Sequence, residues 1–266
     1  MDTASVVGAI TQLTSTSRPA RTVDHVWTCR RETITMTASS PPGPASSPVS
    51  IEIGTSHYPR LVRWGHAYQR ESGVSLWHSY VLTTSDGPIL IDPLMPDGPT
   101  LGHLESIVEQ MGGVPAATIL TNDMHERAAY VARSQWGIPI WAPSAGDGEY
   151  EATPDRLYGA SDRLPGGLVA IPVHAAFIGD TLLKWTAPDG RGVLFSGDVF
   201  MERGDHLIIH APGANPRAAT SIEEVAADLR TVLAPHLDTI DLVFSAHGTP
   251  FTGDARAEIR RLIGAD

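Results

Sequence analysis

Two segments of this chain place a metal-capable side chain where an apolar strand runs out. In V-L-F-S-G-D-V-F the strand stops at Ser196-Gly197 and Asp198 follows, beside a glycine that permits close backbone approach. In D-L-V-F-S-A-H-G-T-P-F, His247 follows an apolar strand in the same way. His174, in A-I-P-V-H-A-A-F, is a third candidate of this kind. A carboxylate and imidazoles are ordinary ligands for zinc or iron, and a bound ion of that sort polarises a water for hydrolysis. Taken singly, Asp198 also reads as a turn aspartate, and His174 and His247 as loop histidines.

A fourth segment, I-L-T-N-D-M-H-E-R from Ile119 to Arg127, is a buried strand end that turns directly into a helix. Asn122 can cap that helix, Asp123 and Glu126 put negative charge in its first turn, and Gly137 stops it. Met124, Ala128, Val131 and Ala132 form an apolar stripe at helical spacing. Polar groups at the carboxyl end of a strand and on the next helical turn sit where layered α/β folds place their chemistry. On a regular helix one residue is a turn of about 100°, so His125 reads as solvent-facing, out of phase with Met124 and Glu126.

The elements that must position these residues are legible in outline. Val74 to Asp92 reads as a hairpin, with the turn at Ser85-Asp86-Gly87. Pro99 to Met111 reads as a helix ended by Gly112-Gly113. Ile138 to Trp141 is a short strand, and Gly146 to Gly166 reads as an irregular surface loop with a short helix. Leu168 to Val173, Thr181 to Trp185, Gly192 to Phe195, Leu207 to His210 and Asp241 to Ser245 are further strands. Thr220 to Leu233 is a helix opened by a Ser221/Glu224 capping box, and Asp254 to Ile263 is a final helix. Ile51 to Ile53 reads as a strand, with Tyr58 to Trp64 as its hairpin partner. Periodicity alone gives a layered α/β protein in two halves.

These motifs together resemble the metallo-β-lactamase superfamily, in particular its glyoxalase II-like hydrolases. In that superfamily the strand-to-helix junction reads T-H-x-H-x-D-H, and its three His and its Asp bind two metals. Here Thr121 matches the Thr, Asn122 and Met124 stand at the first two His, Glu126 at the Asp and Arg127 at the third His. Relatives reading T-N-x-x-H-x-R at this junction are the nearer likeness. Asp92, closing the hairpin, matches a buried Asp that supports the site from behind, although Pro93-Leu94 replaces the Gly that follows it. Asp198 matches the G-D aspartate that bridges the two metals. His247 matches the last ligand in G-H-G-x-P, with Ala246 for the first Gly; His174 stands near the G-H-T ligand, between Val173 and Ala175. The resemblance implies an αββα sandwich, a metallo-β-lactamase-like domain over residues 50–266, preceded by a disordered or linker-like tail over 1–49.

The departures limit the chemistry. Asn is a weak ligand for zinc, a thioether prefers softer metals, and Arg127 cannot ligate at all. Two ions are therefore excluded, and the expectation is either none or one zinc or iron ion. Asp198, His247 and His174 are the expected metal ligands, with Glu126 or His125 as an added ligand, and Asp198, His247, Glu126 and Arg127 the expected catalytic residues. Arg127 is expected to pair with Asp198 in place of a lost metal. The expected function is a divergent hydrolase-like protein acting, if active, on an ester, thioester or lactone; the alternative is a metal-free binding module that reuses the cleft.

Composition narrows the partners. Among 266 residues the formal net charge is −11, which disfavours nucleic acid and anionic membranes and leaves a small molecule as the expected partner. The single cysteine, Cys29, excludes an intramolecular disulfide or a cysteine-based zinc cluster. No run has the length of a membrane-spanning helix and no convincing leader opens the chain, so a cytoplasmic location is expected. Met36 is a second candidate start, ahead of the Pro- and Ser-rich stretch that ends at Val49.

Overall fold

The computed structural model describes residues 60–70, 73–95, 98–177, 179–210 and 221–265. The expected tail over 1–49, with Cys29 and Met36, and the expected strand from Ile51 to Ile53 lie outside the described residues.

Strands β1 (Leu61–Arg70), β2 (Gly73–Thr84), β3 (Gly87–Ile91), β4 (Ala117–Ile119), β5 (Ile140–Pro143) and β6 (Arg156–Tyr158) form one sheet in that order. The β1–β2–β3 ribbon is antiparallel, and β3 to β6 are parallel. The second half supplies β7 (Val169–Pro172), β8 (Thr181–Thr186), β9 (Gly192–Phe195), β10 (Phe200–Arg203), β11 (Leu207–Ile209), β12 (Leu242–Phe244) and β13 (Gly248–Thr249). Four of these form a sheet in the order β12-β9-β8-β7, and β11-β10-β13 form a small third one. The helices are α1 (Gly98–Gln110), α2 (Ala129–Trp136), α3 (Ile222–Leu233) and α4 (Ala255–Ile263).

Strand alternation builds the layers. Side chains i and i+2 share a face, so Ile89 and Ile91 of β3 point into a core with Leu183 and Trp185 of β8 and Val193 and Phe195 of β9. The intervening Leu90 packs outward with Leu104 and Val108 of α1 and Ala132 of α2. Leu182 and Leu194 likewise turn to the opposite face, against Val225, Leu229 and Leu233 of α3 and Ile259 and Ile263 of α4. Two sheets share one apolar layer and each buries its other face under helices, which is the expected αββα sandwich.

The helix signals act as the sequence predicts in the second half. Ser221 and Glu224 form a reciprocal capping box on α3, and the Asp254 side chain accepts from the Ala257 amide at the start of α4. Gly137 closes α2 in the left-handed conformation. The strand around Trp64 pairs with β2, Leu61 opposite Leu82, and continues to Arg70; its expected pairing with Ile51 to Ile53 lies outside the described residues. Two readings need correction. The irregular 146–166 region contains β6. Phe200–Arg203, which carries no strand prediction, is β10.

Candidate metal centre

The junction after β4 is where local structure departs most from expectation. Asp123–Glu126 forms a tight 3-10 turn, not the first turn of an α-helix, and the chain breaks at Arg127, whose φ is 38°. The regular helix begins only at Ala129. This break changes the phase of the side chains. His125 turns inward and is 2% exposed, whereas Met124 is 39% exposed. Asn122 makes no cap; its Nδ2 donates to Asp180 Oδ1 at 2.8 Å and to Asp198 Oδ2 at 3.2 Å.

Asp92, at the end of β3, holds His125 in place. Its φ of 47° is one that an aspartate tolerates better than most residues. Oδ1 accepts the Thr121 amide at 2.8 Å, and Oδ2 accepts the Thr121 hydroxyl at 2.6 Å and faces His125 Nδ1 at 2.9 Å. Nδ1 also lies 2.9 Å from Thr121 Oγ1. The support from behind that the sequence assigns to Asp92 is thus given to one imidazole. Close approach of the two halves depends on Gly197, where a Cβ would lie 2.5 Å from Thr121 Oγ1.

Asp198 and His247 meet His125 from the other half. Asp198 Oδ1 is 3.1 Å from His125 Nε2 and 2.9 Å from His247 Nε2. Burial alone would raise the Asp198 pKa, but with His125 and His247 protonated their charge and hydrogen bonds outweigh it and hold the carboxyl well below its usual range. His247 is the ring nearest to solvent, its side chain 14% exposed, and burial lowers its basicity despite Asp198. Its edge meets the Trp77 ring at 5.2 Å, and Trp77 in turn carries the Arg127 guanidinium 5.3 Å from its centroid.

One cation fits this arrangement. Donor atoms of His125, Asp198 and His247 lie within 4.8 Å of one another, the group of that kind found among the described residues. Asp198 Oδ1 is buried and accepts no hydrogen bond in good geometry, although two ring nitrogens stand beside it. Three donors therefore converge without satisfying one another. A tetrahedral ion with ordinary bond lengths keeps its ligands about 3.3 Å apart, close to the separations seen. Two imidazoles and a carboxylate suit zinc or ferrous iron. Beside these three donors Asn122 turns its amide nitrogen to the carboxylates, and Arg127 brings a fixed positive charge next to His125.

Arg127 does not take the place expected of it. Its Nη1 donates to His78 O at 2.8 Å and Asp92 O at 3.2 Å, and its Nη2 donates to His125 Nε2 at 3.1 Å. The partners of Asp198 are His125, His247 and Asn122. Burial and Arg127 lower the basicity of His125, while Asp198 and Asp92 outweigh them and lift its pKa to about 9. A proton on Nε2 would nevertheless face the guanidinium, and the bond from Nη2 is in line where that to Asp198 is not. The geometry thus favours the neutral ring, with the proton on Nδ1 toward Asp92 and a lone pair on Nε2, the tautomer a metal needs.

The other expected site residues lie elsewhere. Glu126 turns away and accepts the Glu151 amide at 2.7 and 3.0 Å, and burial raises its carboxyl to about 7. The 3-10 turn gives the inward direction to His125 instead. His174 is exposed on the loop after β7, where its backbone amide donates to Asp228 Oδ2 of α3 at 2.6 Å. It is outside the ligand group, and His125 supplies the second imidazole. The sequence signal for His125 was that it is the single histidine of the junction motif; the assumption of a regular helix concealed it. An open hollow of about 550 Å³ near Asp241, Asp254 and Arg260 is separate from this centre.

No family sequence model matches this chain, and no curated protein sequence matches it. Solved structures do match. A metallo-β-lactamase from Pontibacter korlensis aligns over 79% of this chain and 97% of its own, with a TM-score of 0.56 and 14% identity. DIM-1 metallo-β-lactamase aligns over 78% and 93%, with a TM-score of 0.58 and 15% identity. FIM-1 from Pseudomonas aeruginosa, in a mono-zinc form, aligns over 78% and 89%, with a TM-score of 0.54 and 13% identity. No described helix is long and apolar enough to cross a membrane.

Proposed function

Since the chain has the metallo-β-lactamase superfamily fold, we propose that it is a hydrolase-like protein that takes one divalent cation on His125, Asp198 and His247 and cleaves an ester, thioester or lactone in a small molecule. The observation that carries this reading is the convergence of three donors around a buried Asp198 oxygen that accepts no well-aligned hydrogen bond, with two ring nitrogens at 2.9 and 3.1 Å. The existence of a mono-zinc form in FIM-1 supports a single ion in this fold. When bound, the ion would supply Lewis acidity toward a carbonyl and an activated water.

The chain's own residues prepare the place. Asp92 and Thr121 fix the His125 ring, and Asn122 holds the second oxygen of Asp198. His247 offers the most exposed approach, flanked by Trp77 and Arg127. Arg127 keeps positive charge where a second ion would otherwise sit. With a net charge of −11, a small molecule remains the fitting partner, and nucleic acid does not.

A second reading has its own observation. The Arg127 Nη2 hydrogen bond takes up the His125 Nε2 lone pair that a metal would use, which favours a metal-free binding module. Metal analysis of protein purified without chelator separates the two. One equivalent of zinc or iron that disappears in Asp198→Ala, with cleavage of ester, thioester or lactone substrates, is the expected result. Absence of both metal and cleavage would establish the second reading instead.

A further inference from the structure

His78 lies on β2 and has no part in the ligand group, yet it touches the backbone on both sides of one ligand. Its amide donates to Ala246 O at 2.8 Å, and its Nε2 lies 2.6 Å from Gly248 O. A carbonyl only accepts, so Nε2 carries the proton. The residue between these carbonyls is His247. On its other side, the His78 carbonyl accepts Arg127 Nη1 at 2.8 Å, and Nη2 of that guanidinium reaches His125.

We infer that His78 is a positioning residue for the cation centre: its ring and amide clasp the chain around His247, and its carbonyl anchors the guanidinium that abuts His125, so that one residue sets the spacing of the two imidazoles. This rests on the one-cation reading above. The surroundings are built for the ring. Gly65 faces it from β1, where a Cβ would come within 2.9 Å of His78 Nδ1. Burial, helped by Arg63, drives the His78 pKa down to about 3, which agrees with a neutral ring donating to Gly248. Gly248 itself cannot yield, because a Cβ there would lie 1.9 Å from Glu202 O. The strand β13 is therefore held between β10 and the His78 ring, with His247 immediately before it.

The test compares zinc affinity, by competition with a chromophoric chelator, in wild type, His78→Ala and His78→Gln. Removing the ring is expected to weaken zinc by about tenfold or more, the usual effect of losing a residue that orients a ligand. Gln retains an N–H donor at similar reach and should restore most of the loss. Leu82→Ala, a cavity on the same strand away from the clasp, should lower Tm without changing the affinity. Equal zinc affinity in wild type and His78→Ala overturns the inference. If wild type takes up no zinc, the one-cation reading fails separately, and the His247 ring signals in long-range proton–nitrogen NMR of the metal-free protein decide the clasp. Shifted or averaged signals in His78→Ala, recovered in His78→Gln, support it; unchanged signals overturn it.

Discussion

Asp92 and His125, one closing β3 and one in the turn after β4, meet with Oδ2 2.9 Å from Nδ1, and the same carboxylate is pinned by the amide and hydroxyl of Thr121. Because that carboxylate is tied from two directions, the ring it faces has one orientation, with Nε2 3.1 Å from Asp198 Oδ1 and 3.1 Å from Arg127 Nη2. Asp92→Asn keeps the shape but removes the charge and one acceptor. The expected outcome is a loss of zinc affinity of about ten- to a hundredfold, read by competition titration. Unchanged affinity would show that the ring needs no such partner.

Arg127 competes with a cation in two ways, by donating into the His125 lone pair and by its charge. Arg127→Met preserves much of the packing against Trp77 and removes both effects. Zinc affinity is expected to rise by about tenfold, with little salt dependence since the group is partly buried. A fall in affinity would mean that the bonds from Nη1 to His78 O and Asp92 O matter more to the site than the competition does.

How far this centre could be read from sequence depends on what each residue's position rests on. Asp198 and His247 were legible because each follows an apolar strand, and a strand end fixes a side chain locally. β9 was legible to the residue, since Gly192–Phe195 is an uninterrupted apolar run between turns. His125 was not, because its direction comes from a 3-10 turn and a positive φ at Arg127 that no helical period contains. His174 misled for the converse reason: it too follows a strand, but the loop carries it to the surface of α3. β10 was hidden because one of its two buried residues, beside Phe200, is Glu202, a charge that makes sense only with its partner Arg63 of β1, 139 positions away.

Gly197 offers a test of how tightly the halves must approach. Its φ is 52°, and a Cβ would collide with Thr121 Oγ1 at 2.5 Å. Gly197→Ala combines an unfavourable backbone conformation, about 1 kcal/mol, with overpacking of about 1–3 kcal/mol. Urea unfolding in the presence of chelator should show a loss of that combined size. Zinc affinity should fall as well, because Thr121 and Asp198 are pushed apart. A variant as stable as wild type would mean that the two halves tolerate a wider gap than the structure has.

Arg63 and Glu202 form a buried ion pair at 2.9 Å, 1% and 0% exposed, joining β1 to β10. Burial raises the Glu202 carboxyl to about 7, and Arg63 offsets only part of that. In the unfolded chain a glutamate titrates near 4.3, so between those values the folded state holds a proton that the unfolded state has lost. The slope of stability with pH is then negative: this group's contribution is complete below about pH 4 and is lost as pH rises through 7. Metal-free protein should therefore melt at a lower temperature at pH 8 than at pH 5.5, and Glu202→Gln should flatten that difference. Arg63→Met should steepen it, and should cost about 3–5 kcal/mol at pH 8 because it leaves a buried carboxylate without its partner. Melting curves in chelator-containing buffer from pH 5 to 8.5 check all three. A Glu202→Gln curve with the wild-type slope would assign the pH dependence to other buried carboxyls, Asp180 first among them, whose pKa burial and the neighbouring Asp198 also raise.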